Sequence, residues 1–424
     1  MNIAKLKDEK KWVTLLSING LYFYDKMPIE YDCSPEQRRQ ILSAYPAPVL
    51  PNTEEAFSLE NEVQGNHIKV TLLLNDYSVE MTKTNKQFLK MRFSNTNGTF
   101  NAKMWDNNGE VEHYGPILDE YSVFTVEGRV EDYKGFKSIT VHKLSPIKEG
   151  INPFSLLAYT AQDIEELTVE LFSYLNELQS PYKDITLAAM NRFWKQFSIR
   201  PAAKGFHHNY LGGLLKHTVG LMRFARFILK TEQNHYEAVM KLINVVEKAH
   251  KVELWAQIKA GTNNPQAFVW KETIDHLYKM LYGMMQYQET EPNYDVVMTS
   301  ILYHDIGKIL EYDHAGKEYE EFSFLFPTAT GDFSDRKPSG IIMDQLGVMI
   351  GHIPYGVLFF TKIIEAENIS ISMEELHAVS HCILCHHGLP EWGSCIRSPQ
   401  TIEGYIVHIA DYLDSRYENT EQVK

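Results

Sequence analysis

Cysteine is scarce in this sequence: there are four in 424 residues, Cys33, Cys382, Cys385 and Cys395, too few for a disulfide-stapled scaffold. The chain has to be held by ordinary hydrophobic cores, and at roughly 150 residues per domain its length suggests two or three of them. Long apolar runs are missing as well. None reaches the roughly 18 to 20 residues that cross a bilayer, so no membrane partner is expected. The opening residues, MNIAKLKDEKK, are too charged for the apolar stretch of a secretion signal, which points to a cytoplasmic protein. Internal repeats and low-complexity tracts are absent, and a chain that is 44% hydrophobic, 23% charged and 12% aromatic is not a disordered one. Positive charge is in deficit: the formal net charge of −14 argues against coating nucleic acid indiscriminately by long-range attraction.

One stretch reverses that balance. Between Met81 and Trp105 there is no acidic residue, while Lys83, Lys86, Lys90, Arg92 and Lys103 fall there with Phe88, Phe93, Phe100 and Trp105 interleaved. From His67 to about Leu144 the chain alternates or runs apolar in short segments bounded by turn residues, with Asn97-Gly98 and Lys134-Gly135 where hairpins need positive φ. Five strands are predicted, with a short helix near Val111 to Leu118 between the third and fourth. That order describes a small OB-type barrel over residues 67–148, whose sheet face and loops bind single strands by stacking and backbone charge. Lys90, Arg92 and Trp105 are the candidate contacts.

Residues 1–66 are mixed and punctuated by proline, and no activity can be assigned to this N-terminal extension. Pro146 to Pro153 reads as a linker. From about Ala161 the period shifts to 3.6, so residues 160–424 are expected to be all-α, with polar loops at Lys259 to Gln266 and Phe326 to Gly340. The fold class is therefore multidomain α+β, a barrel followed by a helical domain.

The helical part carries a sparse set of His and Asp residues. In YLGGLLKHTVGLMRFARFIL, His217 shares a side with Leu214 and Leu221, while Lys216 and Arg223 point elsewhere, so His217 is expected to face inward. In DVVMTSILYHDIGKILEY, His304 and Asp305 are adjacent on a predicted helix, and Lys308 follows one turn later. His352, the pair His386 and His387, and Asp411 come further on. Buried ionisable groups are costly unless paired or metal-bound, and imidazoles with carboxylates suit borderline divalent ions, two of which a carboxylate can bridge. Any one of these residues taken alone is more often a hydrogen-bonded core histidine or a surface group than a ligand. The ordered set is what packing alone does not explain.

The stretches FHHNYLGGLLKHT, YHDIGKILEY, GHIPYG, HCILCHHGLPEWGS and HIADYLDS, following a barrel that contains AKMWD, resemble the HD-domain metal-dependent phosphohydrolases. Within them they are similar to the OB-plus-HD type, the YhaM-type 3′-to-5′ exoribonucleases. The resemblance implies that His217, His304, Asp305 and Asp411 hold one metal ion, that Asp305 bridges to a second held by His352, His386 and His387, and that Lys308 touches the scissile phosphate. Asp305 and Lys308 are then the catalytic pair. Manganese is the first choice of metal, with cobalt, nickel, iron or magnesium as alternatives. The chain departs from the compact family pattern by apparent insertions near 234–288 and 326–340, which bear on substrate choice.

His207 and His208 could bind substrate phosphate or merely start a helix. His381 could orient a ligand, and His408 or Asp414 could stand in for Asp411, which the family match favours. Cys382 and Cys385 read as buried small residues. The expected activity is stepwise removal of nucleotides from the 3′ end of single-stranded RNA or DNA, with a homo-oligomer left open. The alternatives are a hydrolase of small or cyclic nucleotides and a relaxase-like nucleic-acid-binding protein of a mobile element.

Overall fold

A computed structural model describes residues 27–48, 56–82, 84–133, 135–148, 153–160, 162–203, 210–259, 269–313, 320–331, 341–392 and 395–417. The barrel strands are β1 (His67–Met81), β2 (Gln87–Asn95), β3 (Gly98–Trp105), β4 (Val123–Tyr133) and β5 (Phe136–Pro146), closed in the order β1-β2-β3-β5-β4; the part expected to be all-α also holds a short antiparallel ladder, Tyr312–Asp313 with Ile342–Met343. The first α-helix among the described residues, α1 (Pro35–Ala44), precedes the barrel, and α2 (Glu110–Glu120) lies between β3 and β4. This is the five-stranded OB-type barrel with the predicted helix in place. β1 closes it by pairing with β4 from His67 to Leu73 and with β2 from Leu73 onward, with a register shift between Leu74 and Asp76. Alternation does the rest. Leu89, Met91, Phe93, Phe100, Ala102 and Met104 point into the core, while Lys90 and Trp105 point out. Lys83 and Lys134 lie outside the described residues.

The remaining long helices are α3 (Ile164–Asn176), α4 (Tyr182–Phe197), α5 (Gly213–Arg226), α6 (His235–Lys259), α7 (Val269–Met284) and α8 (Tyr294–His304). They are followed by the short α9 (Lys308–Glu311), α10 (Glu320–Leu325) and α11 (Gly347–Ile350), then α12 (His352–Ala366), α13 (Met373–Cys385) and α14 (Ile402–Tyr417). Two of them are central: every residue of α5 from Gly213 to Ala225 and of α8 from Val296 to His304 is buried. A helix surrounded on all sides cannot keep a polar stripe for solvent. Lys216 and Arg223 are therefore buried with the rest of α5, contrary to the amphipathic reading. Arg223 meets Glu170 of α3 through Nε to Oε1 at 2.6 Å and Nη2 to Oε2 at 2.7 Å, a bidentate pair that satisfies both charges inside the domain. Among the described residues no helix is long and apolar enough to cross a membrane.

The N-terminal extension divides between the two parts. α1 begins with a capping box in which Ser34 accepts from Gln37 N–H and Gln37 reciprocates. The helix packs on α3, where Arg38 bonds Glu166 at 2.7 and 3.0 Å. Beyond it Tyr45 stacks on Phe172 at 3.7 Å, and Trp194 Nε1 donates to Pro46 O at 2.9 Å. Further on, Leu59 enters the barrel core, and the Phe57 carbonyl accepts from Asn95 at 2.8 Å. A small apolar cluster of Leu73, Val123, Leu157, Leu211 and Ile341 joins barrel and helices. The segment 234–288, expected to be an insertion, holds the helices α6 and α7, packed on each other. Residues 260–268 and 332–340, which hold most of the two predicted loops, lie outside the described residues.

Glu170→Ala would leave the Arg223 guanidinium buried without its bidentate partner, a change expected to cost about 3–5 kcal/mol. It should appear as a large fall in the thermal midpoint of the helical part, with the barrel transition unmoved.

Candidate metal centre and nucleic-acid face

α8 stops at His304. Asp305 is its C-cap, at φ −114° and ψ 2°, and a tight turn leads into α9 at Lys308. His304, Asp305 and Lys308 therefore do not share one helix as the spacing suggested. A Cβ on Gly307 would overlap the carbonyl of His352, so the glycine lets the start of α12 approach this turn closely.

Six side chains from five places in the chain converge with Asp305. His217, His304 and Asp411 form one group of potential ligand atoms, and Asp305, His352, His386 and His387 a second. The Asp305 carboxylate divides between them. Its Oδ2 lies 3.4 Å from His217 Nε2 and 3.3 Å from His304 Nε2; its Oδ1 lies 3.6 Å from His352 Nε2 and 3.8 Å from His386 Nε2. Asp411 Oδ1 is 3.2 Å from His217 Nε2. The Lys308 ammonium contacts Asp305 Oδ2.

Four of the five imidazoles are oriented from behind, each by its Nδ1. His304 Nδ1 meets the carbonyl of Ile301 at 2.6 Å, His386 Nδ1 that of Ile383 at 2.7 Å, His217 Nδ1 meets Asp414 at 2.6 Å, and His352 Nδ1 meets Glu311 at 2.7 Å. A carbonyl or carboxylate can only accept, so each Nδ1 carries the proton; the Nε2 of His304, His352 and His386 turns a lone pair toward the centre, and a cation bound there would replace the second proton that three carboxylates favour on His217. Three of the inward atoms, Asp305 Oδ1, His352 Nε2 and His386 Nε2, are buried with no hydrogen-bond partner. Buried polar atoms are seldom left so. Lone pairs aimed at one another across 3.6 to 3.8 Å are too far apart for hydrogen bonds and suit atoms that share a cation. The donor set fits divalent ions.

The electrostatics agree. Burial would raise the Asp305 carboxyl, yet Lys308 and the surrounding imidazoles hold it well below the usual carboxylate range. Asp411 is likewise held low by His217 against its burial. Burial pushes His386 well down and His387 down to about 4, keeping both neutral as ligands must be. His217 goes the other way: burial opposes its charge, but Asp305, Asp411 and Asp414 raise it well above an ordinary histidine. The pocket of carboxylates demands a positive charge.

Some candidates fall elsewhere. His381 Nε2 accepts from Gln400 N–H at 3.0 Å and orients no ligand. His408 Nδ1 bonds the His386 carbonyl at 2.7 Å, so its ring supports the backbone of the cluster and is not a stand-in for Asp411. Asp414 backs His217. Cys382 and Cys385 are buried free thiols. His207 and His208 lie outside the described residues. Sequence reasoning missed Glu311, which accepts from both the ring and the N–H of His352. Its only signal was a carboxylate six residues past Asp305, on a stretch otherwise apolar.

On the barrel, β2 and β3 pair so that Lys90 faces Lys103 and Phe88 faces Trp105. The last two rings are 5.2 Å apart, Lys103 Nζ sits 5.2 Å over Trp105, and Trp105 is 38% exposed. Arg92 is on the same face but bonds Asp76 at 2.5 Å, so its charge is already engaged.

Residues 273–416 match the HD domain family model. The matched stretch includes every member of both groups except His217, which α6 separates from it. Over most of its length the chain is similar to proteins named 3′-5′ exoribonuclease YhaM. It is 23% identical to that of Geobacillus sp. over 355 residues, 83% of either chain. It is 24% identical to that of Listeria innocua serovar 6a over 371 residues, 86% of this chain and 90% of the relative.

Glu311→Ala is expected to weaken divalent-metal uptake by about 10- to 100-fold, the usual effect of losing a carboxylate that orients a metal-binding imidazole. Calorimetric titration of the metal-free protein would measure it, with circular dichroism unchanged.

Proposed function

We propose that this HD-domain protein is a metal-dependent phosphodiesterase that shortens single-stranded nucleic acid from its 3′ end, with RNA the first substrate to consider. The observation that carries the reading is the Asp305 carboxylate, buried, with one oxygen toward each of two groups of inward-turned ligand atoms. Similarity to proteins named exoribonucleases across barrel and helices alike supports the choice of substrate, and the predicted place of work is the cytoplasm.

His217, His304, Asp305 and Asp411 would hold one ion, and Asp305, His352, His386 and His387 the other. Manganese is the preferred metal because the set mixes imidazole and carboxylate without thiolate; cobalt, nickel, iron and magnesium are alternatives. Bound ions supply an activated water and neutralise charge on the attacked phosphate. The chain's own residues do the rest. Asp305 holds the two groups in register. The Lys308 ammonium, raised further by Asp305 and its neighbours despite burial, stays charged at neutral pH and is positioned to meet a phosphate oxygen. Lys90, Lys103, Phe88 and Trp105 hold the strand by charge and stacking, and Arg92 contributes where phosphate displaces Asp76. A negative molecule can recruit a polyanion in this way because the positive charge is local, within about a Debye length of the strand.

A time course on 5′-labelled single strands of RNA and DNA, with Mn²⁺ and with a chelator, tests the activity. A metal-dependent ladder that shortens from the 3′ end is expected. Intact strands together with hydrolysis of small nucleotides would move the assignment to a nucleotide phosphohydrolase. Asp305→Ala should abolish cleavage with the fold retained. Trp105→Ala should weaken strand binding by about 1–3 kcal/mol, the worth of one base–aromatic stack, seen as a higher KM on long strands and an unchanged kcat on a dinucleotide.

A further inference from the structure

The helix α7, most of which falls within the stretch that matches the HD model, reaches the metal centre from behind. His276 lies on α7, is 6% exposed, and places its Nε2 2.7 Å from His408 Nε2. His408 in turn bonds the carbonyl of His386 through Nδ1 at 2.7 Å. The turn that follows lies against the same ring: Gly388 has φ +88°, and a Cβ there would overlap the His408 imidazole. His408 is thus gripped on one edge by His276, while its other edge and one face carry the turn His386–Gly388. The hydrogen positions follow from the acceptor. His408 Nδ1 must carry a proton for the carbonyl, so its Nε2 offers a lone pair and His276 Nε2–H is the donor. Burial, reinforced by the neighbouring His408, pushes His276 down to about 3, in keeping with a neutral donor. The Tyr412 ring, 4.7 Å from that of His276 and 5.8 Å from that of His408, flanks both.

We propose that His276 is a positioning residue for the second ligand group: through His408 it sets the backbone turn from which His386 and His387 reach inward. The inference rests on the metal-centre reading above. It gives α7, part of the segment expected from the sequence to bear on substrate choice, a task at the metal. His276 touches neither metal nor substrate, and its effect passes through one hydrogen bond and one peptide carbonyl.

The test is Mn²⁺ binding to the metal-free full-length chain, by calorimetry and by the electron paramagnetic resonance of free and bound Mn²⁺, for wild type, His276→Phe and His276→Gln. Phenylalanine fills the space without a donor, whereas the glutamine amide can still donate to His408 Nε2. Wild type is expected to take up two ions. His276→Phe should keep one and bind the other about 10- to 100-fold more weakly, with its thermal midpoint close to that of His276→Gln, which should bind both. If His276→Phe binds both ions as wild type does, or if the two variants lose the second ion equally, the positioning role is wrong while the metal centre stands. Wild type binding no Mn²⁺ would overturn both. Should the phenylalanine variant not fold, His276→Leu and His276→Asn provide the same comparison of donor-free and donor-bearing side chains.

Discussion

A carboxylate buried on every side, with an ammonium against one oxygen and imidazole nitrogens around both, sets the terms for the helical half of this protein. Taking Asp305 out of water costs several kcal/mol unless positive charge is supplied nearby, and Lys308 supplies only part of it. Delivering four imidazoles to one carboxylate requires their elements to arrive from different directions with their rings already turned. That is why α5 and α8 are buried all round. They do not cover a core; they are its centre, and α12, α13 and α14 close on them. The four Nδ1 hydrogen bonds convert a set of flexible side chains into fixed lone pairs, at the cost of committing Asp414, Glu311 and two backbone carbonyls to that task.

The barrel was legible because its signals are local. Alternation, two Gly-containing hairpins and a break before β4 each act within a few residues, and the structure follows them strand by strand. The members of the candidate site were legible for a different reason: His and Asp at apolar helical positions are costly to bury without a purpose. What escaped sequence reading was set by tertiary contact. HDIGK has helical spacing and an apolar continuation in Ile306 and Ile309, so nothing local announces that α8 ends at His304, where the start of α12 packs closely against Gly307. His381 and His408 stand at similar spacings from the candidate ligands, and only the fold tells that one meets Gln400 and the other supports His386. Glu311 looked like an ordinary surface glutamate, the usual fate of that residue.

On the proposed reading, the two faces of the molecule divide recognition from chemistry. On the barrel, Lys90, Lys103, Phe88 and Trp105 lie at the surface, in high dielectric, where each contact is weak and reversible and sequence matters little. In the helical part the charges are dry and strongly coupled, and small displacements are expensive. A strand can therefore slide over the first without disturbing the second, which is the arrangement stepwise shortening requires.

The path of the N-terminal residues has a consequence for how the chain is made. Residues 27–48 lie on α3 and α4, yet the whole barrel is synthesised between them and those helices. The docking surface for α1, Tyr45 and Pro46 does not exist until residue 197 or so has emerged, so this segment must wait, uncommitted, while the barrel closes around Leu59. In space the barrel is an appendage. In the order of assembly it is an interruption, and the helical part is stitched together across it.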